Sequence, residues 1–270
     1  MRNLLLTAIV LFCTIYSVAI YRVSLLDHNE FNVSKEDIIQ LPGYGLGIKS
    51  GPDSIMLIDN QELAFIRWVE PNNARSIVGC GNSFYGAEGD SIYRIATDSL
   101  PRKLVGRLDN VQFTLSAATD STFYAITADE DFSCVYEINP ETGYADPVIS
   151  IEAPLLKIAR MDKNILLWVD DTIMIAKDKD NTIIPFYSAP NITDMELTPV
   201  GIFVATDKCV IWFTDIGEGV EILSEGVTNL WWDPEDLLYY RTLNGDILNI
   251  VGLEQFYRKD IMKTEALSTK

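Results

Sequence analysis

One short pattern recurs six times along the chain, and the near-even spacing of its copies limits the fold more than any other feature. Each copy is a polar or small residue, an aliphatic residue, then alternating apolar positions. It reads Asp53-Ser54-Ile55-Met56-Leu57-Ile58, Asp90-Ser91-Ile92-Tyr93-Arg94-Ile95 and Ser133-Cys134-Val135-Tyr136-Glu137-Ile138. It returns as Asp171-Thr172-Ile173-Met174-Ile175, Lys208-Cys209-Val210-Ile211-Trp212-Phe213 and Gly245-Asp246-Ile247-Leu248-Asn249-Ile250. The aliphatic anchors at 55, 92, 135, 173, 210 and 247 differ by 37, 43, 38, 37 and 37. Self-similarity at such a period marks a repeat architecture. The long interval implies an enlarged loop around Ala128 to Phe132.

Each unit reads as four short strands between turn residues. In the fourth unit these are 155–160, 164–169, 172–176 and 181–187. In the fifth they are 193–197, 201–205, 209–213 and 219–223. The runs are rich in Val, Ile, Tyr, Phe and Trp and bounded by Asp, Asn, Gly and Pro, the composition of strands. No long run has helical spacing. Four strands per unit of about 40 residues is the β-propeller pattern. A lone four-stranded sheet leaves both faces bare, whereas sheets packed radially cover each other. Residues 36–258 are therefore expected to form an all-β, six-bladed propeller with four antiparallel strands per blade. A β-sandwich or a solenoid is the alternative. The chain resembles six-bladed β-propeller repeat proteins in general, over roughly Glu36 to Tyr257, and no specific family. The Gly-His and Trp-Asp signatures of WD40 repeats are not repeated; Trp232-Asp233 occurs once.

The N-terminus is different in kind. Arg2 precedes an uncharged, apolar run from Leu4 to Tyr16, followed by Ser17-Val18-Ala19. A positive start, a short apolar stretch and a small-x-small site make a secretory signal. Extended to Ile20, the run still falls short of the roughly 20 residues that span a bilayer comfortably. Residues 1–22 are thus a cleaved signal or a retained anchor, and the protein is exported: periplasmic, membrane-anchored or extracellular. Residues 23–35 are a linker, or a strap that closes the ring; 259–270 are a polar tail. The sixth unit ends weakly at Leu253–Tyr257, which makes closure the open question.

Lys and Arg number 21 against 39 Asp and Glu, a net charge of −18. Such a field repels nucleic acid and anionic lipid and attracts basic proteins or divalent cations. Nucleic acid is excluded as a partner; a protein or glycan of the envelope is expected, with the membrane reached through residues 4–20 if these are retained. Outside the leader, Cys80, Cys134 and Cys209 are an odd number. Cys134 and Cys209 occupy the same slot of different repeats, too far apart for a disulfide. All three are expected to be small buried core residues.

Catalytic signals are sparse. His28 is the single histidine, which closes most nucleophile–histidine schemes. Gly81-Asn82-Ser83-Phe84-Tyr85 lacks the second glycine of a serine elbow. The sequence therefore points to a binding or scaffold module more than to an enzyme, with no cofactor. Two sets of polar residues stand out. Asp37, Asn110, Asp194 and Asn229 lie near the starts of the innermost strands of four units. They would ring a channel mouth, and calcium is the ion such oxygen ligands would take. That set carries the alternative of a calcium-dependent, lactonase-like hydrolase; the anchor carries that of a membrane-held sensor domain. The loops between second and third strands hold Asp90, Asp129, Glu130, Asp131, Asp170, Asp171 and Asp207. These should form an acidic binding face at one end of the disc, although Asp is also ordinary turn chemistry.

Overall fold

The computed structural model describes residues 21–24, 38–41, 45–49, 54–58, 65–69, 76–81, 83–97, 101–108, 111–118, 121–128, 131–161, 164–177, 182–214, 219–233 and 237–251. A short strand, β1 (Tyr21–Ser24), comes first. Then follow β2 (Ile38–Leu41), β3 (Gly45–Lys49), β4 (Ser54–Ile58), β5 (Phe65–Val69), β6 (Ser76–Cys80), β7 (Ser83–Glu88), β8 (Ser91–Arg94), β9 (Ala96–Thr97) and β10 (Lys103–Arg107). The next eight are β11 (Thr114–Ala118), β12 (Phe123–Ala128), β13 (Ser133–Ile138), β14 (Ala145–Ile151), β15 (Leu155–Met161), β16 (Asn164–Val169), β17 (Thr172–Lys177) and β18 (Ile183–Ser188). The last are β19 (Ile192–Thr198), β20 (Gly201–Thr206), β21 (Val210–Phe213), β22 (Val220–Leu223), β23 (Val227–Asp233), β24 (Leu237–Thr242) and β25 (Ile247–Val251).

The chain is an all-β propeller built of four-stranded antiparallel blades. The expectation of six such blades is corrected. Five sheets have four strands: β6-β7-β8-β10, β11-β12-β13-β14, β15-β16-β17-β18, β19-β20-β21-β22 and β23-β24-β25-β1. The remaining sheet has five, β2-β3-β4-β5-β9. Its extra strand arises because the chain, on leaving β8, first pairs Ala96 with Val69 of β5 before returning to its own sheet as β10. β1 is the outermost strand of the last-formed blade, with Tyr21 opposite Val251 and Ser24 opposite Leu248. It straddles the boundary expected between leader and linker. Residues 253–257 lie outside the described residues. Among those described, no helix is long and apolar enough to cross a membrane.

The long second interval takes in the enlarged β12–β13 hairpin. There Ile126 pairs Val135 and the ladder runs on to Ala128 opposite Ser133, whereas Trp168 pairs Ile173 close to a two-residue turn. The repeat pattern itself has a packing cause. On β16, Leu166 enters one apolar cluster while Ile165 and Leu167 enter another. On β20, Ile202 and Val204 pack toward one neighbour and Phe203 and Ala205 toward the other. Strands buried on both faces read as continuous apolar runs instead of alternating ones. Trp212 and Trp231 are buried and Trp168 half-buried. Trp232 is half-buried and packs against the cluster that holds Phe203, away from Trp231. Cys80 is buried, but Cys134 and Cys209 are half-buried, which corrects the expectation that all three belong to the core. None of the three is in a disulfide.

Candidate binding face and inner charge network

The acidic residues of the second-to-third-strand loops stand at one end of their sheets, because each of those loops occupies the same place in its blade. Asp90 lies between β7 and β8, Asp131 between β12 and β13, Asp170 and Asp171 between β16 and β17, and Asp207 between β20 and β21. Asp131, Asp170 and Asp171 are exposed, and Asp90 and Asp207 half-buried. Several also make local hydrogen bonds. Asp90 Oδ1 accepts from Ser91 Oγ at 2.7 Å. Asp170 sits at φ 49°, a left-handed turn position that Asp tolerates, and its carbonyl accepts from Trp168 Nε1. Asp171 Oδ1 accepts from Ile192 N of the next blade at 3.4 Å. Asp207 Oδ2 accepts from Asn191 Nδ2 at 2.9 Å. The connections between sheets bring exposed Glu152 and half-buried Glu225 to the same end, against which Lys208 is the cation of the β20–β21 loop. Asp129 and Glu130 lie outside the described residues.

Of the other set, Asp194 and Asn229 share one register slot on neighbouring innermost strands. Counting from the repeat anchors through two strand pairings, one slot on each innermost strand is occupied by Ser76, Thr114, Lys157, Asp194 and Asn229. Their partners are Ala87, Ile126, Trp168, Ala205 and Arg241. An innermost strand has no neighbour within its own sheet on the channel side, so its outward N–H groups need acceptors. The preceding blade supplies them. Ser76 Oγ accepts from Leu115 N at 2.7 Å, and Asp194 Oδ2 accepts from Leu230 N at 2.7 Å. These are the same contact one residue beyond the slot, made by a hydroxyl in one blade and a carboxylate in another. Two residues on, Glu196 Oε1 accepts from Trp232 N at 3.2 Å.

Two carboxylates so placed need a cation, and β15 provides it. Lys157 Nζ lies 2.9 Å from Asp194 Oδ1 and 3.0 Å from Glu196 Oε2. The three side chains are 19 %, 5 % and 18 % exposed, so the charges are largely withdrawn from water. Burial alone would lower the Lys157 pKa. The charges and hydrogen bonds of Asp194 and Glu196 outweigh it and hold the ammonium above its ordinary value. For Glu196, burial dominates and pushes the carboxyl up, with Lys157 opposing and Asp194 adding to the rise. A second ion pair joins the preceding two blades, Arg160 Nη1 to Glu137 Oε1 at 3.1 Å, with Tyr124 OH also bound by Arg160.

Of the four residues considered for a metal, Asp37 and Asn110 lie outside the described residues, Asp194 is the buried acceptor above, and Asn229 is half-buried on β23. Asp194 does not fit calcium as it stands. Its Oδ1 takes Lys157 Nζ and Met195 N, and its Oδ2 takes Leu230 N. A bound ammonium repels a second cation at that range. Among the described residues no three His, Cys, Asp or Glu side chains gather as metal ligands. Lys157 and Glu196 were not singled out in the sequence. Glu196 was within reach, since residues two apart on a strand share a side with Asp194.

No family model matches the chain, and no curated protein matches it. Solved structures do. The chain is similar to luciferin-regenerating enzyme, with a TM-score of 0.63, 9% identity, and 87% of this chain and 96% of that one covered. It is similar to BBS1N in complex with ARL6DN, at a TM-score of 0.50, 17% identity and coverages of 77% and 74%. The extracellular domain of a putative hybrid two component system from B. thetaiotaomicron matches at a TM-score of 0.50 and 11% identity, over 76% of this chain and 32% of that one. The chain thus spans about a third of that extracellular domain. At these identities the likeness is one of fold.

Proposed function

We propose that the chain is an exported binding or scaffold propeller that engages a protein or glycan partner through its acidic loop face. The single observation behind this reading is the recurrence of acidic residues in one kind of loop across neighbouring blades, with Lys208 and Arg107 the exposed cations among the described residues at that end. Turn geometry alone does not call for it, because Asn, Gly or Ser serves such turns equally. A net charge of −18 favours a partner with basic groups. The leader-like run at 4–20 favours export. The propeller structures it resembles include one described in complex with a protein partner.

The test is capture from the native envelope with the face intact and neutralised. A protein retained at low salt by the natural chain, and lost when Asp129, Glu130, Asp131, Asp170 and Asp171 become Asn or Gln, supports the reading. Equal retention overturns it. The calcium-dependent hydrolase is the second reading. It draws on Asp194 and Asn229 holding equivalent slots of adjoining blades, and the Lys157 ammonium opposes it. Millimolar calcium should leave the unfolding midpoint of the natural chain where it is. A rise that Asp194→Asn abolishes would favour the hydrolase instead.

A further inference from the structure

Two neighbouring blade interfaces follow one plan and are filled differently. In both, the outermost strand bulges beside a proline. Tyr136 pairs Pro147 and Val135 pairs Ile149, which leaves Val148 as the extra residue of β14. Met174 pairs Pro185 and Ile173 pairs Tyr187, which leaves Phe186 as the extra residue of β18. Val148-Ile149 and Phe186-Tyr187 are therefore equivalent pairs, each packed toward the next blade. There each pair shares an apolar cluster with the residue three past the repeat anchor, Ala176 on β17 or Phe213 on β21. Around Phe213 the space is closed by rings, with Phe186 at 4.9 Å and Tyr187 at 5.1 Å between centroids. Val148, Ile149 and Ala176 stand where that interface has three aromatic rings.

The difference leaves room. A groove of about 240 Å³ opens at the first interface, lined by Val148, Ile149, Ile165, Ala176 and Ile183, with Lys177 beside them. Ile165 and Ala176 are buried, the other three aliphatic residues half-buried, and Lys177 exposed. Protein interiors keep few voids larger than a water molecule, so a groove of this size is a feature to explain. Among the described residues no carboxylate lines it; Pro147 does, but the exposed Asp146 before it does not. The Lys177 ammonium has no ion pair among the described residues. Apolar walls with one fixed polar group are the ordinary make-up of a small-molecule site.

We propose that this groove binds a small aromatic carboxylate, whose ring occupies the space that aromatic side chains fill in the next interface and whose carboxylate meets Lys177. The volume lies just below the roughly 300 Å³ at which drug-sized pockets begin, which suits one or two fused rings. Lys177 ends β17 at the end remote from the Asp170-Asp171 turn, so the site is separate from the acidic loops and does not depend on their role.

The test titrates the full chain with naphthoate, and with naphthamide as its uncharged counterpart, by calorimetry at low salt. The natural chain should bind naphthoate saturably and several-fold more tightly than the amide. Lys177→Gln should remove that preference and leave the affinity for the amide unchanged. Ala176→Phe supplies the ring that Phe213 provides next door, and should weaken both ligands by about tenfold or more. Val148→Phe, at the half-buried bulge, obstructs the groove from the opposite wall and serves if Ala176→Phe does not fold. No saturable naphthoate binding below about 1 mM, or binding unchanged in a folded ring-filling variant, overturns the site. A preference for the carboxylate that survives Lys177→Gln overturns the pairing with Lys177.

Discussion

Lys157 carries the charge balance of three adjoining innermost strands. Among the described residues it is the one cation facing both carboxylates that cap the channel-side N–H groups of β23. Replacing it by Met should therefore cost more than a lost surface pair. It strands two largely buried carboxylates, at about 3 kcal/mol, the low end for such cases because Lys157 and Glu196 keep some exposure. The sign of the pH dependence follows from the shifts. Lys157 is raised, so its contribution is present below its ordinary pKa and lost as pH climbs through the folded value. Glu196 is also raised. Its folded form holds a proton more tightly, so it adds stability at low pH and subtracts as pH rises through the folded value. Without Lys157 the main opposing charge is gone and the Glu196 pKa climbs further. The stability gap between the natural chain and Lys157→Met, measured by urea unfolding, should then be smaller at about pH 5 than at about pH 7.5. A gap that stays flat or widens on acidification would contradict protonation of Glu196 as the relief.

At the scale of elements, the tight hairpins and the closing strand invite direct tests. Gly201, which opens β20, has φ 133°, and a Cβ there would stand 2.1 Å from the Phe213 carbonyl oxygen. Gly201→Ala should cost about 2 kcal/mol or more by thermal or urea unfolding. A near-neutral result would mean the hairpin has room to shift. Removing residues 1–24 deletes β1 and leaves β25 as a bare edge. Hydrogen exchange should quicken at β25 first, while β15–β17 remain protected. Uniform quickening would contradict closure by β1 as a local event. The same elements show what a sequence can disclose. The strands of the fourth and fifth units stand within a residue or two of where the turn residues put them, because the middle strands are buried on both faces and read as apolar runs. β1 was hidden because four residues abutting a leader carry no pattern of their own. β9 was hidden because two residues pairing with a neighbouring sheet leave no period. Lys157 was hidden because its partners lie in the next blade, and only the register brings them together. The loop acids were legible from the repeat alone, since one loop type recurs in one place.

For the whole molecule, the consequence of this layout is a recurrent set of carboxylates in one loop type at one end of the blades. Exposed loop charges govern encounter more than residence, so their effect belongs to the association rate and fades with salt. Screening acts over about 8 Å at physiological ionic strength. Changing Asp129, Glu130, Asp131, Asp170 and Asp171 to Asn or Gln keeps an acceptor oxygen at each turn, and Asn tolerates the left-handed backbone of Asp170. Each change should stay within about 0.5 kcal/mol of the natural stability. The most direct measurement is the association rate of the captured partner with the natural chain and with this variant, from low to high salt. The acidic-face account predicts several-fold slower association of the variant at low salt, converging with the natural chain as salt rises. Equal rates at low salt would contradict it and assign those carboxylates to solvated turns alone.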